Sequence, residues 1–264
     1  MSEFAAAAQD AWVTARRGLL RGRREPRLLA LPLLQPVLFM LLFGVVLSGV
    51  IGVPGVASYP GFLTPGLLVQ AVAITAGLAA VDVARDVHRG MLDRFRTLPV
   101  PPSAVLFGRT VSDLVRISMT AAVAAATGVI AGWRVHSGPA AAAAGFLLVL
   151  TFGYAVAWLS VLVGLSLRTP RAARTAVLVC LVPVTFVSNV LAPEDTMPPW
   201  LRPLAEANPV SAVVTALRLL WGNEPATSAA DPVSAYPLAL AWVAAALLAA
   251  IPLALHRYRR LPAP

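Results

Sequence analysis

The sequence predicts an all-α polytopic membrane protein, and three observations carry that prediction. Of the 264 residues, 58% are apolar and only 12% are charged, about half the charged share of a soluble domain. Six apolar runs are long enough to cross a hydrocarbon core of about 30 Å, which takes roughly 20 helical residues. The arginines gather in the segments between alternate runs. The expected organisation is one transmembrane domain over residues 1–264, with no room for a soluble catalytic domain.

The expected spans are Leu28–Val50, Gly61–Val81, Val111–Ala131, Ala140–Leu167, Thr175–Ala192 and Ser234–Leu255. The first follows six arginines and is long enough to span, so it reads as an anchor and not as a cleavable signal. Arg16, Arg17, Arg21, Arg23, Arg24 and Arg27 precede it. Counted with the segments after spans 2, 4 and 6, seventeen arginines lie on one side of the membrane. Arg134, Arg202 and Arg218 are the three on the other. The positive-inside rule then puts both termini in the cytoplasm and the chain in the cell membrane. A net charge of +9 would raise nucleic acid as a partner for a soluble protein. Here the charge is distributed between apolar runs, so membrane lipids are the expected partner and nucleic acid is not.

Three elements are expected outside the spans. Residues Ala11–Arg24 can form an amphipathic interfacial helix, with Trp12, Leu19 and Leu20 on one face and arginines on the rest. The alternative is a basic tail that only sets topology; Pro26 marks the break before span 1. In the connector Asp82–Gly108, Val83, Val87, Met91, Phe95 and Leu98 recur at helical spacing, and Arg89 and Asp93 stand four apart. Pro99, Pro101 and Pro102 then stop the helix. That pattern suits a cytoplasmic helix docked on another protein, or else a solvated charged loop. The external segment Pro193–Pro232 contains Met197, Pro198 and Trp200, then Asn208 as an N-cap and Pro209 ahead of the apolar stretch Val210–Trp221. The stretch is too short to span and reads as a re-entrant or interfacial helix. Irregular backbone at that depth must be buried in protein or line a wet cavity.

Few polar groups fall within the spans. Asp113 and Arg116, three apart, can pair on one face of span 3; an unpaired charge at membrane depth costs about 3 kcal/mol or more. Exchanging the two charges is expected to restore more function than either single reversal. Gln35, Gln70 and Asn189 can hold helices together or line a path. Catalytic chemistry is missing. Lys is absent, so there is no Walker A phosphate loop. His88, His136 and His256 have no metal-binding spacing, and Cys180 is alone in an apolar run. No metal, cofactor or catalytic residue is therefore expected in this chain.

Two stretches resemble a known family. Arg85-Asp86-Val87-His88-Arg89-Gly90-Met91-Leu92-Asp93-Arg94-Phe95-Arg96-Thr97-Leu98-Pro99 resembles the cytoplasmic signature of type-two ABC exporter permeases, the daunorubicin- and doxorubicin-resistance branch especially. Ser188-Asn189, Asp195-Thr196-Met197-Pro198-Pro199-Trp200-Leu201-Arg202-Pro203, Ala205-Glu206-Ala207-Asn208-Pro209 and Ala216-Leu217-Arg218 resemble that branch's external segment before span 6. The resemblance implies a permease subunit paired with a second copy or paralogue. A separate ABC ATPase subunit would carry ATP and Mg beneath each, so the chain itself would not be an enzyme. Arg85, Asp86, Arg89, Gly90, Leu92, Asp93, Phe95, Leu98 and Pro99 would form the ATPase-coupling segment, with Asp86 where many members have Glu. Spans 1, 2 and 5 would line the path. The cargo would be a hydrophobic or amphipathic compound: a drug, antibiotic, lipid or glycolipid. A non-transport scaffold or immunity protein associated with an ATPase is the alternative.

Overall fold

The computed structural model describes residues 34–46, 58–91, 102–167, 169–224 and 231–260, and the regular structure among them is helical throughout. Helix α1 covers residues 34–46 and widens into a π-helix over Met40–Val46. It is followed by α2 (Tyr59–His88), α3 (Pro102–Ile130), α4 (Pro139–Leu167) and α5 (Pro170–Phe186). A 3₁₀ turn (Glu194–Thr196), the short α6 (Arg202–Glu206), α7 (Pro209–Trp221) and α8 (Pro232–Arg259) complete the order. The expected interfacial helix Ala11–Arg24 and the residues Leu92, Asp93, Phe95, Leu98 and Pro99 lie outside the described residues.

Among the described residues four helices, α2, α3, α4 and α8, are long and apolar enough to cross a membrane. Of the first expected span only residues 34–46 are described, and they are helical; the fifth is shorter than expected. The fifth, expected over Thr175–Ala192, starts early at Pro170 and stops at Phe186 after 17 residues. Proline at the first helical position suits that start, and Pro183 weakens the last turn, because its ring nitrogen cannot donate to Val179. The second and third helices both run past their expected ends. Helix α2 continues through Asp82 to His88, and α3 begins at Pro102. Val83 and Val87 are thus part of the spanning helix, not of a separate connector helix. Gly90 ends that run with φ of 63°, a left-handed conformation that glycine adopts without a Cβ clash. The helix that carries Asp82 therefore does not run on unbroken past Gly90.

Helix α2 is the hub, packed against α3, α4, α5 and α7. Its sequence is apolar on every face, and nearly every side chain from Gly61 to Ala80 is buried, as expected of a helix with no polar stripe. Small residues set the close approaches. A Cβ on Gly164 of α4 would lie 2.5 Å from the Ala80 carbonyl oxygen, so only glycine allows α4 to lie this near α2. By contrast, α1 and α5 leave Leu38, Leu41, Leu178 and Val179 exposed. In a membrane those faces meet lipid or another chain.

Candidate functional site

Polar groups concentrate at the two ends of α2. At its arginine-rich end, α2 presents Asp82, Arg85 and Asp86, and α3 presents Arg109, Asp113 and Arg116. Spacings of three and four place each trio on one helical face. Asp82 accepts from Arg85 at 3.0 Å and from Arg116 at 2.9 Å, with Arg109 at 3.9 Å. Arg109 also pairs with Asp86, and Arg116 donates to Asp113 at 2.6 Å. Three carboxylates thus balance three guanidinium groups, which removes the penalty of burying an excess charge of either sign. The network ties the end of α2 to the start of α3. Residues 89–101, the stretch between these helices, therefore leave and return through an ion-paired base.

Below the charges lies an apolar floor of Val83, Leu106, Trp158 and Tyr258, each at most 2% exposed. A buried Thr75–Thr120 hydroxyl pair at 3.2 Å joins α2 and α3 farther along. The expected Asp113–Arg116 pair is present as one edge of this network. Sequence reasoning missed Asp82, which holds it together, because Asp82 was assigned to the connector. The available signal was the helical spacing of Asp82, Arg85 and Asp86. Arg89 is exposed, and Gly90 forms the turn beyond α2.

At the other end of α2, residues 187–193, between α5 and the 3₁₀ turn, enter the bundle without regular structure, and side chains satisfy their backbone. Asn208 does three things at once. Its Oδ1 accepts from Val210 N at 2.9 Å and caps α7, while its Nδ2 donates to the carbonyls of Val184 at 2.7 Å and Val187 at 2.9 Å. One amide therefore joins the end of α5, whose last carbonyls lack helical partners, to the start of α7. Pro209 supplies the fixed φ that opens that helix. Asn189 donates to Glu194 Oε1 at 3.0 Å and Thr215 Oγ1 at 2.8 Å, and its backbone N–H donates to Ser211 Oγ at 3.2 Å.

Arg218 lies at the centre of this knot and is only 1% exposed. It donates to the carbonyls of Phe62 at 3.1 Å, Asn189 at 2.8 Å and Val190 at 3.3 Å. Its guanidinium carbon also stands 3.5 Å from the centre of the Phe62 ring, an attractive cation–π arrangement. Gly66 faces the same loop; a Cβ there would be 2.7 Å from the Val190 carbonyl oxygen. At the far end of α7, Gly222 adopts φ of 69°, and Asn223 accepts from Trp133 Nε1 at 2.9 Å. Sequence reasoning took Arg218 for a scattered external arginine; its position mid-helix in an apolar stretch was the signal.

The remaining expected positions are dispersed. Gln35 is half-buried on α1, far along the sequence from either cluster. Gln70 is 1% exposed in the core of α2, and neither amide atom meets a hydrogen-bond partner among the described residues. Met197 is buried and its carbonyl accepts from Arg202 Nε at 3.1 Å. The Pro198 carbonyl closes a turn with Leu201 N at 2.9 Å, and Trp200 is 71% exposed. Glu194 is half-buried, and burial lifts its carboxyl above the ordinary glutamate range. The charge of Glu206 adds to this and the Asn189 hydrogen bond opposes it. Among the described residues no cluster of His, Cys, Asp or Glu could hold a metal ion.

Residues 9–220 match the family profile described as ABC-2 type transporter. The chain is similar to a daunorubicin resistance ABC transporter permease protein of Streptomyces coeruleorubidus, with 31% identity over 71% of this chain and 66% of that protein. It is also similar to a probable doxorubicin resistance ABC transporter permease protein of Mycobacterium tuberculosis, at 27% identity over 69% of this chain and 66% of that one. A probable multidrug ABC transporter permease of Escherichia coli is 25% identical over 58% of this chain and 41% of its own length. The matches to the two drug-resistance relatives span just under two thirds of each.

Proposed function

Because the chain belongs to the ABC-2 type transporter family, we propose that it is the membrane-spanning permease of an exporter driven by a separate ABC ATPase. The observation that carries this reading is the ion-paired base beneath residues 89–101. A segment whose two ends are joined by charge pairs between α2 and α3 can pass a push on the segment to both helices at once. The arginine bias supports placing this end, and both termini, in the cytoplasm. Six spans follow if α1 and α5 cross with the help of flanking chain. The exported compound is hydrophobic or amphipathic, in keeping with the drug-resistance relatives and with the few polar groups inside the bundle. A second permease copy or paralogue completes the path, with the exposed face of α1 and the exposed Leu178 and Val179 of α5 available to it. ATP and Mg belong to the partner.

ATP-driven closure of two ATPase subunits would favour one arrangement of the permease pair over another, and transport follows from that shift in population. The test is co-purification from mildly solubilised membranes, followed by ATP hydrolysis and flux in proteoliposomes. We expect an ATPase subunit to accompany the chain and its hydrolysis to respond to transported compound. Replacing both Leu92 and Phe95 with Asp should abolish that association and leave membrane insertion intact. A chain that recovers no ATPase, or a double variant that still associates and transports normally, contradicts the reading. Association without flux would instead favour a scaffold.

A further inference from the structure

A lateral groove of about 530 Å³ opens between α4, α5 and α8; Val184, Pro209 and Val210 bring one end of it against the Asn208 cap, and the rest lies clear of both polar clusters. Phe152 and Val163 on α4, Val177 and Cys180 on α5, and Trp242 on α8 form its walls, and Pro209 at the start of α7 closes one end. The lining is almost wholly apolar: Ser160, Cys180 and Trp242 carry its only side-chain heteroatoms. From Phe152 to Val163, at 1.5 Å per residue, the groove is about 16 Å long. That is about half of a 30 Å hydrocarbon core, the depth of a single leaflet. Cys180 and Trp242 are both exposed, so the groove opens to the surroundings of the bundle.

A charge stands on α5 just before the first residues that line the groove, at the end opposite Pro209. Arg174 stands three residues before Val177 and seven before Leu181, on the same face of α5 as these two lining residues. It is exposed and makes no ion pair with another described residue. A leaflet-deep apolar slot with a free guanidinium at its mouth complements an acyl chain below a negatively charged headgroup. We propose that the groove binds one acyl chain of an anionic phospholipid from the leaflet at the arginine-rich end, with the phosphate against Arg174. That this is the inner leaflet rests on the orientation proposed above; the binding itself does not.

The test uses the full chain reconstituted in phosphatidylcholine vesicles with traces of lipid carrying a nitroxide midway along one acyl chain. Electron paramagnetic resonance then reads the motionally restricted fraction. Labelled phosphatidylglycerol should be restricted about five-fold more strongly than labelled phosphatidylcholine, as expected of one basic group at a membrane surface. Arg174→Gln, a surface change that spares the fold, should bring the two lipids to parity. Ala246→Trp, which fills the groove, should remove the selective component. Equal restriction of the two lipids by the unmodified chain overturns the proposal, as does a preference that survives both variants. Shielding of Cys180 from a maleimide that rises with protein density and not with anionic lipid also overturns it, by giving the groove to a second copy. Loss of transport in the exporter assay leaves these outcomes unchanged.

Discussion

At the arginine-rich end of α2, Arg116 is held by two carboxylates, 2.9 Å from Asp82 and 2.6 Å from Asp113. At the opposite end, Arg218 is held by the backbone carbonyls of Phe62, Asn189 and Val190 and by the Phe62 ring. The two solutions to burying an arginine have different mechanical consequences. Carboxylates on side chains can trade partners, and this network is open to some water, with Asp82 and Arg116 side chains 22% and 19% exposed. Carbonyls are fixed to the backbone, and Arg218 is sealed from solvent. The first arrangement can change while its charges stay paired. The second cannot open without stranding several carbonyls. On the function proposed above, a permease moved from its ATPase side and anchored on the other has use for both.

The sharpest way to break this comparison is at Arg218. Arg218→Met strands carbonyls that each cost about 1–3 kcal/mol when left unsatisfied in the interior. The expected result is several kcal/mol of lost stability, read as a collapse of the thermal unfolding temperature in detergent. Arg218→Lys should recover only part, since an ammonium lacks the planar fork that reaches several acceptors. At the other end Asp82→Asn should be milder. Breaking a fully buried pair costs about 3–5 kcal/mol, and partial exposure reduces that to about 1–3 kcal/mol. The variant should remain folded by thermal unfolding, with ATP hydrolysis that no longer responds to transported compound.

The same network corrects an expectation drawn from the sequence. Exchanging the charges of Asp113 and Arg116 was expected to restore more function than either single reversal. In the structure Arg116 also donates to Asp82, so the exchanged carboxylate at 116 would face Asp82 with like charge. Rescue should then require Asp82 to change as well.

Helices α4 and α8 were legible from hydropathy alone, because polar or proline-rich chain flanks each of them: Ser137–Gly138 before α4, Arg168–Thr169 after it, and Asp231 before α8. The end of α5 was not. Residues 187–192 remain mostly apolar, so hydropathy carries the span onward; Asn208, more than twenty positions away, takes the last carbonyls and stops it. Asn189 was singled out as a polar group within a span and Asn208 as the N-cap it proves to be, but the further bonds of Asn208 to the end of α5 depend on a chain reversal that no local pattern encodes. Asp82 and Arg116 lie 34 positions apart, and their pairing follows only from how α2 and α3 pack.

A smaller effect is expected at Glu194. Its carboxyl is raised above the ordinary glutamate range, chiefly by burial. In that window the native state binds more protons than the unfolded chain, so stability should fall as pH rises through it. The half-exposed position limits the change to below about 1 kcal/mol. Glu194→Gln should flatten the dependence of unfolding temperature on pH.

The most direct measurement of the contrast is a pair of spin-label distances in the assembled transporter, with Cys180 replaced by Ser. One pair, at Arg89 and Val111, reports on the ion-paired end; the other, at Ile130 and Leu204, reports on the sealed end. All four positions are exposed. Between nucleotide-free and ATP-trapped states, the first distance should shift and the second should hold. A second distance that moves while the first stays fixed would contradict the account.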